Sequence, residues 1–241
     1  MPATKAPEMA AAIHPQLPLP VRLREETTFA SFLPGANQGP VRLLQDDPAE
    51  AHERFIYLWG APGTGKTHLL QALCHRAAQR GDRALYLPLR QMGVPPQAVE
   101  NLEELPLVVV DDIDAVAGQA GWEAALFHLY NRVHERGGRL VMAGARSPGV
   151  LGIALADLRS RLAGGLVLQL QLLSDEDKAD ALRLQARQRG MFMPAEVAVY
   201  LLRRCPRDMH ALFALLDRLE HDSLAAQRRL TVPFVKEVLR L

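Results

Sequence analysis

The chain has 241 residues, 49% of them apolar, which is enough for one α/β core and a small second unit. The net charge of +1 argues against broad, nonspecific DNA binding, which needs clustered cations. Only Cys74 and Cys205 are present, far apart and with no CxxC pair, so we expect small core residues in a reducing cytosol and neither a zinc site nor a disulfide framework. No apolar run approaches the roughly 20 residues of a membrane span, and the N-terminus lacks a signal-peptide stretch, so we expect a cytoplasmic protein with no membrane partner.

The first part of the chain, residues 1–25, is predicted to be an extended N-terminal arm. Proline recurs there at positions 2, 7, 15, 18 and 20, and proline removes backbone donors and blocks helix formation. Within the arm, Gln16, Leu17, Leu19 and Pro20 offer one polar group and two aliphatic anchors for a groove on a partner. Such a pentapeptide also occurs by chance, so a plain tail is the alternative.

Residues 26–173 show alternating strand and helix patterns. Short apolar runs predict strands at 54–59, 84–87, 107–110, 140–142 and 166–170. Helices are predicted at about 66–80 and 122–136, the second from apolar residues at helical spacing. Alternation of this kind predicts an α/β fold whose parallel sheet has helices on both faces.

The strand pattern ends at Leu173, and residues 174–241 predict a small helical domain. Its first helix begins at Ser174, with Asp177 three residues later as in a capping box. The predicted helices run from 174 to 190, from 194 to 204, from about 207 to 224, and onward from Pro233. The sequence therefore predicts an arm at 1–25, an α/β domain at 26–173 and a helical domain at 174–241.

The segment at 60–67 fits the phosphate-binding pattern GxxxxGK[ST] completely, as Gly60-Ala61-Pro62-Gly63-Thr64-Gly65-Lys66-Thr67. Glycines let backbone N–H groups turn toward phosphate oxygens, Lys66 reaches the outer phosphates, and the hydroxyl of Thr67 takes Mg²⁺. A glycine-rich turn that matches by chance is the alternative. The position between a predicted strand and a predicted helix favours a site for ATP or ADP with Mg²⁺.

Two carboxylates, Asp111 and Asp112, end the third predicted strand. Beside a phosphate-binding loop, Asp111 is predicted to hold Mg²⁺ through water, and Asp112 to orient or deprotonate the attacking water. The alternative is a strand that simply leaves the core through acidic residues. The complete loop upstream favours the functional interpretation, more strongly for Asp111 than for Asp112.

Arg161 lies in the segment 157–162, just before the last predicted strand. Its planar guanidinium can stabilise a phosphate during transfer, and an arginine supplied across an interface acts on the nucleotide of a partner. A solvated basic turn is the alternative. The position of Arg161 favours the role in trans.

These motifs together resemble the Hda family, the DnaA-related regulatory inactivators of chromosomal replication initiation in the AAA+ superfamily. The resemblance runs nearly the whole length, through the segments 16–20, 28–32, 34–35, 56–59, 129–132, 157–162, 173–178 and 226–237. It implies an AAA+ domain followed by a helical lid.

The resemblance also implies partners. Gln16 to Pro20 would bind the sliding clamp, the beta subunit of DNA polymerase III, so that DNA is met through the clamp. Arg161 would act as an arginine finger that promotes hydrolysis of DnaA-bound ATP, with the ADP-bound form of the regulator competent. A homo-oligomer is among the assemblies that it allows.

Three departures from the family pattern concern the site. The strand end after Met142 reads Ala143-Gly144-Ala145-Arg146, where relatives have a polar residue that senses the γ-phosphate. His210 stands where they have an arginine at the nucleotide. Gly164 replaces an aromatic residue just past Arg161. We therefore expect strong nucleotide binding, retained ADP and slow hydrolysis by the protein itself.

Two other interpretations stay open. One is an independent AAA+ ATPase similar to DnaA or to a helicase loader, so whether the chain is itself an efficient enzyme is undecided. A DnaA would carry a helix-turn-helix domain after the lid, where we expect this chain to end, and a loader would carry a helicase-binding extension. The other is an inert scaffold that keeps nucleotide for stability and would be indifferent to loss of Arg161.

Overall fold

The structure, a computed structural model, describes residues 27–46, 53–91, 93 and 95–240. The predicted arm, with Gln16, Leu17, Leu19 and Pro20, lies outside the described residues.

A five-stranded parallel sheet forms the centre of the fold. The strands are β1 (Phe55–Trp59), β2 (Ala84–Pro88), β3 (Leu107–Asp111), β4 (Arg139–Gly144) and β5 (Leu166–Gln169), in the spatial order β2-β3-β4-β1-β5. Every pair is parallel, so the predicted fold class and all five predicted strands are confirmed. This order brings the loop that follows β1 and the acids that end β3 to the same edge of the sheet, on either side of β4.

Helices cover both faces of the sheet, because the strand side chains alternate between two apolar layers. Ile56 and Leu58 face the layer of α1 (Gln38–Gln45) and α2 (Lys66–Gln79). Tyr57 faces the layer of α3 (Ala120–Glu135) and α4 (Ala156–Gly164). The predicted helices α2 and α3 are confirmed. The sequence pattern gave no sign of α1 or α4, each of which buries only two apolar side chains.

Four helices form a second apolar core after the sheet: α5 (Asp175–Gln188), α6 (Ala195–Arg204), α7 (Met209–Ala226) and α8 (Val232–Leu239). The capping box is confirmed, since the Ser174 hydroxyl accepts the N–H of Asp177 at 3.0 Å and donates to its carboxylate at 2.7 Å. Pro194, expected inside the second helix, is its N-cap residue instead. Within the described residues, no helix has the length and apolar character to span a bilayer.

The segment 28–33 joins the sheet domain to the helical lid. Thr28 caps a single turn of 3₁₀ helix at Phe29–Ser31, and the carbonyl of Ser31 accepts a bond from Gln185 Nε2 on α5 at 2.9 Å. The next two side chains separate: Phe32 packs on the core beside α2, and Leu33 packs on the lid core. The lid is therefore held to the sheet domain through this short stretch of chain.

Candidate functional site: a phosphate-binding cleft

A cleft of about 750 Å³ opens at the carboxyl edge of the sheet, between the loop after β1 and the first turn of α7. It brings together these residues predicted from the sequence: Pro62, Gly63, Gly65, Lys66, Thr67, Asp112 and His210. Asp111 lies directly behind Thr67 at the end of β3. The cleft is the only place where these motifs, distant in sequence, meet among the described residues.

The loop from Gly60 to Gly65 needs glycine where the backbone passes closest to its surroundings. Gly65 has φ +89°, and a Cβ there would come within 2.5 Å of the Phe32 ring. At Gly60 a Cβ would lie 2.6 Å from the carbonyl oxygen of Leu170. Thr64 is buried, and its hydroxyl donates to the carbonyl of Ala61 at 2.9 Å, which tightens the turn. The N–H groups at the start of α2 are thus presented to an anion by a preformed loop.

Lys66 lies in the first turn of α2 and folds back over the loop. Its Nζ donates to the carbonyl oxygens of Gly60 at 2.6 Å and Ala61 at 3.1 Å. Burial lowers the pKa of Lys66, an effect that the nearby carboxylates of Asp111, Asp114 and Asp112 oppose. The ammonium group is therefore a partly desolvated cation, and a bound anion would be its strongest partner.

Asp111 is almost completely buried, with 1% of its surface exposed. Its Oδ2 accepts bonds from the hydroxyls of Thr67 at 2.7 Å and Tyr86 at 2.9 Å, and its Oδ1 accepts the N–H of Asp112 at 2.9 Å. Burial raises the pKa of Asp111, while these hydrogen bonds act to lower it. Sequence reasoning missed Tyr86, because an aromatic residue in a strand looks like an ordinary core residue.

A divalent cation fits the donor set at this point. Mg²⁺ prefers oxygen ligands and keeps part of its water shell, and the oxygens of Thr67 and Asp111 stand 2.7 Å apart beside the loop. These two residues would hold Mg²⁺ together with phosphate oxygens.

Asp112 forms an ion pair with Arg90, a residue that belongs to none of the sequence motifs. The backbone of Asp112 is left-handed, with φ 57°. Arg90 follows β2 and places its Nε 3.5 Å from Asp112 Oδ2 and its NH2 2.7 Å from Asp114 Oδ2. Asp114 in turn accepts the N–H of Ala145 at 3.0 Å. A lone arginine after a strand carries no sequence signal, and only the adjacency of β2 and β3 brings Arg90 to the acids.

The lid side of the cleft carries His210, in the first turn of α7. Asp208 caps this helix by accepting the N–H of Ala211 at 3.0 Å. Its neighbour Met209 is buried in the lid core and also reaches the cleft, as does Phe213. An imidazole and two apolar side chains thus form the wall opposite the phosphate-binding loop.

Arg161 stands apart from this cleft. It is exposed in the second half of α4, with its Cζ 5.3 Å from the ring centroid of Tyr130 on α3. Leu158 and Leu162, on either side of it, are buried and fix the outward direction of this helix face. Among the described residues that line the cleft, Arg161 is absent. The alternative interpretation as a basic turn is wrong about the backbone, since the segment is helical.

Two family models match the chain. The lid domain of Hda matches residues 175–239, and the ATPase domain of bacterial DnaA matches residues 96–169. Together they span more than half of the chain and meet at the boundary between the sheet and the lid helices.

Solved structures show the same fold at low sequence identity. Domain III of the replication initiation protein DnaA from Thermotoga maritima is 20% identical with a TM-score of 0.77, over 91% of this chain and 98% of that one. AMPPCP-bound DnaA from Aquifex aeolicus is 22% identical with a TM-score of 0.67, over 82% of this chain and 66% of that one. The RuvB Holliday junction branch migration motor of Thermotoga maritima is 17% identical with a TM-score of 0.62, over 84% of this chain and 68% of that one.

Proposed function

Because the chain belongs to the Hda/DnaA family of AAA+ proteins, we propose that it is a nucleotide-bound regulator that promotes hydrolysis of the ATP held by DnaA. The product, DnaA with ADP, is inactive for initiation, so the protein would be a negative regulator of replication initiation. The match of the Hda lid model to residues 175–239 supports a regulator over an initiator.

The observation that carries the proposal is the position of Arg161. Its guanidinium is exposed on α4 and lies outside the described lining of its own cleft. An arginine in that position has no phosphate of its own chain to act on, whereas its fork of donors suits a phosphate presented by a docked partner. The proposed chemistry therefore takes place in the site of DnaA, where Arg161 stabilises the charge that develops on the transferred phosphate.

The cleft of this chain is proposed to hold ADP or ATP with Mg²⁺. The loop at 60–67 and Lys66 would bind the phosphates, Thr67 and Asp111 would hold Mg²⁺, and His210 would contact the nucleotide from the lid. The related DnaA from Aquifex aeolicus is bound to AMPPCP, an adenine nucleotide, within the same fold. The metal, when bound, neutralises charge on the phosphates.

Slow hydrolysis by the protein itself is part of the proposal. Ala145 brings no polar side chain to the cleft, and its N–H is bonded to Asp114. One oxygen of the Asp112 carboxylate lies 3.5 Å from the Nε of Arg90, and this ion pair would compete with the attacking water for that oxygen. A nucleotide that is held but seldom hydrolysed suits a regulator that works with ADP bound.

The arm is proposed to recruit the protein to the sliding clamp through Gln16, Leu17, Leu19 and Pro20, which places it near DnaA on DNA in the cytoplasm. A polar hook followed by two aliphatic anchors is the pattern that supports this step.

Arg161→Ala is expected to reduce the stimulated hydrolysis of DnaA-bound ATP to the rate of DnaA alone, since an arginine finger contributes about 10³-fold or more. The measurement is phosphate release from DnaA in the presence of DNA-loaded clamp and this protein with ADP bound. Arg159→Ala removes the same charge from the same helix, where the side chain donates to the carbonyl of Ile153 in its own chain. The Arg159→Ala protein should keep the stimulation. Gln16→Ala should lose it under conditions in which stimulation depends on the clamp.

Three outcomes would contradict the proposal. If the Arg161→Ala protein stimulates hydrolysis by DnaA fully, Arg161 is not an arginine finger. Hydrolysis by this protein alone, with no effect on DnaA, would favour an independent ATPase. If neither Arg161→Ala nor Gln16→Ala changes the result of any assay, the interpretation as an inert scaffold would be favoured.

Arg90→Ala is expected to raise the hydrolysis rate of this protein alone by about tenfold, because the variant releases the carboxylate of Asp112. The rate is measured with saturating ATP and no DnaA. Arg183→Ala, which breaks an exposed ion pair with Asp180 on the lid, serves as the matched control. An unchanged or lower rate, or a rise that persists when Asp112→Asn is added, would show that the ion pair does not restrain Asp112.

A further inference from the structure

An aromatic ring lies directly under Arg161. The ring of Tyr130 has the guanidinium carbon of Arg161 5.3 Å from its centroid. The same ring meets the Phe55 ring edge to face, with the centroids 4.7 Å apart and an angle of 77° between the planes. It lies nearly parallel to the His134 ring, with the centroids 6.0 Å apart and an angle of 9° between the planes. Packing by these two neighbours restricts the rotation of the Tyr130 ring, so its position is set by β1 and α3.

The helix that carries Arg161 is fixed to the helix that carries Tyr130. Glu123, in the first turn of α3, is 1% exposed, and its Oε2 accepts the N–H of Leu155 at 2.7 Å. Its carboxylate also accepts the N–H groups of Ala154 and Gly118. Leu155 is the N-cap residue of α4, so the start of α4 is held on α3 by Glu123, and its later part packs on the core through Leu158 and Leu162.

A ring holds a guanidinium in a way that a carboxylate does not. The attraction acts on the cation through the face of the ring, so the five N–H donors stay free for a phosphate. A carboxylate partner would occupy those donors and neutralise the charge. Within the part of the chain that the structure describes, Arg161 forms no ion pair with a carboxylate.

We infer that Tyr130 is a positioning residue that holds Arg161 in place to meet the phosphates of a partner, an inference that rests on the proposed function. The ring reduces the number of side-chain conformations that Arg161 must give up when it meets the charge that develops on the partner's phosphate during hydrolysis. It therefore acts on the rate of the stimulated step more than on the affinity of the two proteins.

The test compares variants on α3 that differ in the π face. Tyr130→Leu removes the face, Tyr130→Phe keeps it and loses only the hydroxyl, and Phe127→Leu removes an aromatic ring one turn earlier. Each variant, with ADP bound, is titrated against DnaA on DNA-loaded clamp, and its own ADP affinity is measured as a check of folding. We expect Tyr130→Leu to lower the maximal stimulated rate about fivefold, with the half-saturating concentration changed less than about twofold. Tyr130→Phe and Phe127→Leu should stay near the wild type.

The other outcomes are distinct. If Tyr130→Leu stimulates as well as the wild type while Arg161→Ala does not, the ring has no positioning role. If Tyr130→Leu stimulates better, the ring restrains Arg161 instead, which also overturns the inference. If Arg161→Ala itself stimulates fully, the proposed function fails and not only this inference. Should Tyr130→Leu lose ADP binding, Tyr130→Met offers a longer, unbranched side chain that can reach Phe55 without a π face, and the same fivefold loss is expected of it.

Discussion

Lys66→Ala is expected to weaken ADP binding by at least about 100-fold while leaving the fold intact. The ammonium is a partly buried cation at the loop, and charge-assisted hydrogen bonds to phosphate are among the strongest that a protein makes. Burial lowers the pKa of Lys66, which means that the charged lysine costs the folded protein stability at neutral pH. The nucleotide-free variant should therefore unfold at a temperature no lower than the nucleotide-free wild type.

Two measurements check this prediction together. Titration with a fluorescent ADP analogue gives the affinity, and thermal unfolding with and without ADP gives the stabilisation that binding confers. Lys236→Ala makes the same chemical change on α8, where the ammonium lies 5.7 Å from the Tyr200 ring, and should bind ADP like the wild type. A Lys66→Ala protein that gains as much thermal stability from ADP as the wild type would show that Lys66 does not contribute to nucleotide binding.

Glu123→Gln is expected to lower the free energy of unfolding by about 2–4 kcal/mol. The carboxylate is buried and receives four hydrogen bonds from three backbone N–H groups. Glutamine keeps one acceptor oxygen but turns an NH₂ group toward backbone donors, which leaves buried N–H groups unpaired. Urea unfolding at pH 7 measures the loss, and Glu135→Gln, an exposed change on the same helix, should alter the free energy by less than about 0.5 kcal/mol.

The same carboxylate makes stability depend on pH. Burial by itself raises the pKa of Glu123, but the N–H groups of Leu155, Ala154 and Gly118 outweigh it, and the pKa in the folded protein lies below the ordinary 4.5. A lowered pKa means that the stabilisation is complete above pH 4.5 and is lost as the pH falls through the folded value. The wild type should thus lose stability faster than Glu123→Gln between about pH 5 and pH 3. Equal slopes for the two proteins would contradict this assignment.

The sheet and the phosphate-binding loop were predictable because their signals are local. Five apolar runs of the right length became the five strands, and the loop at 60–67 lies between β1 and α2 as its motif requires. The start of α5 was equally readable, since Ser174 and Asp177 satisfy each other within one turn. In each case the residues that make the structure are neighbours in the sequence.

What escaped prediction depends on contacts between distant segments. Arg90 reaches Asp112 only because β2 and β3 are adjacent, and the bond from Tyr86 to Asp111 has the same origin. Helix α4 buries only Leu158 and Leu162, so it showed no apolar stripe. The start of α4 is fixed by Glu123, which accepts the N–H groups of Ala154 and Leu155 and lies 31 and 32 residues before them in the chain.

The divergence of Phe32 and Leu33 has a mechanical consequence. Adjacent residues anchor in two different cores, and Phe29 before them also packs on the sheet core. Tension on the chain before Thr28 therefore acts first at this seam between sheet and lid. The bonds across that seam run through Ser31 to Gln185 on the lid and to His68, which directly follows Thr67 of the phosphate-binding loop. If the protein were held by its N-terminal arm, tension on the arm would therefore act first next to the nucleotide cleft.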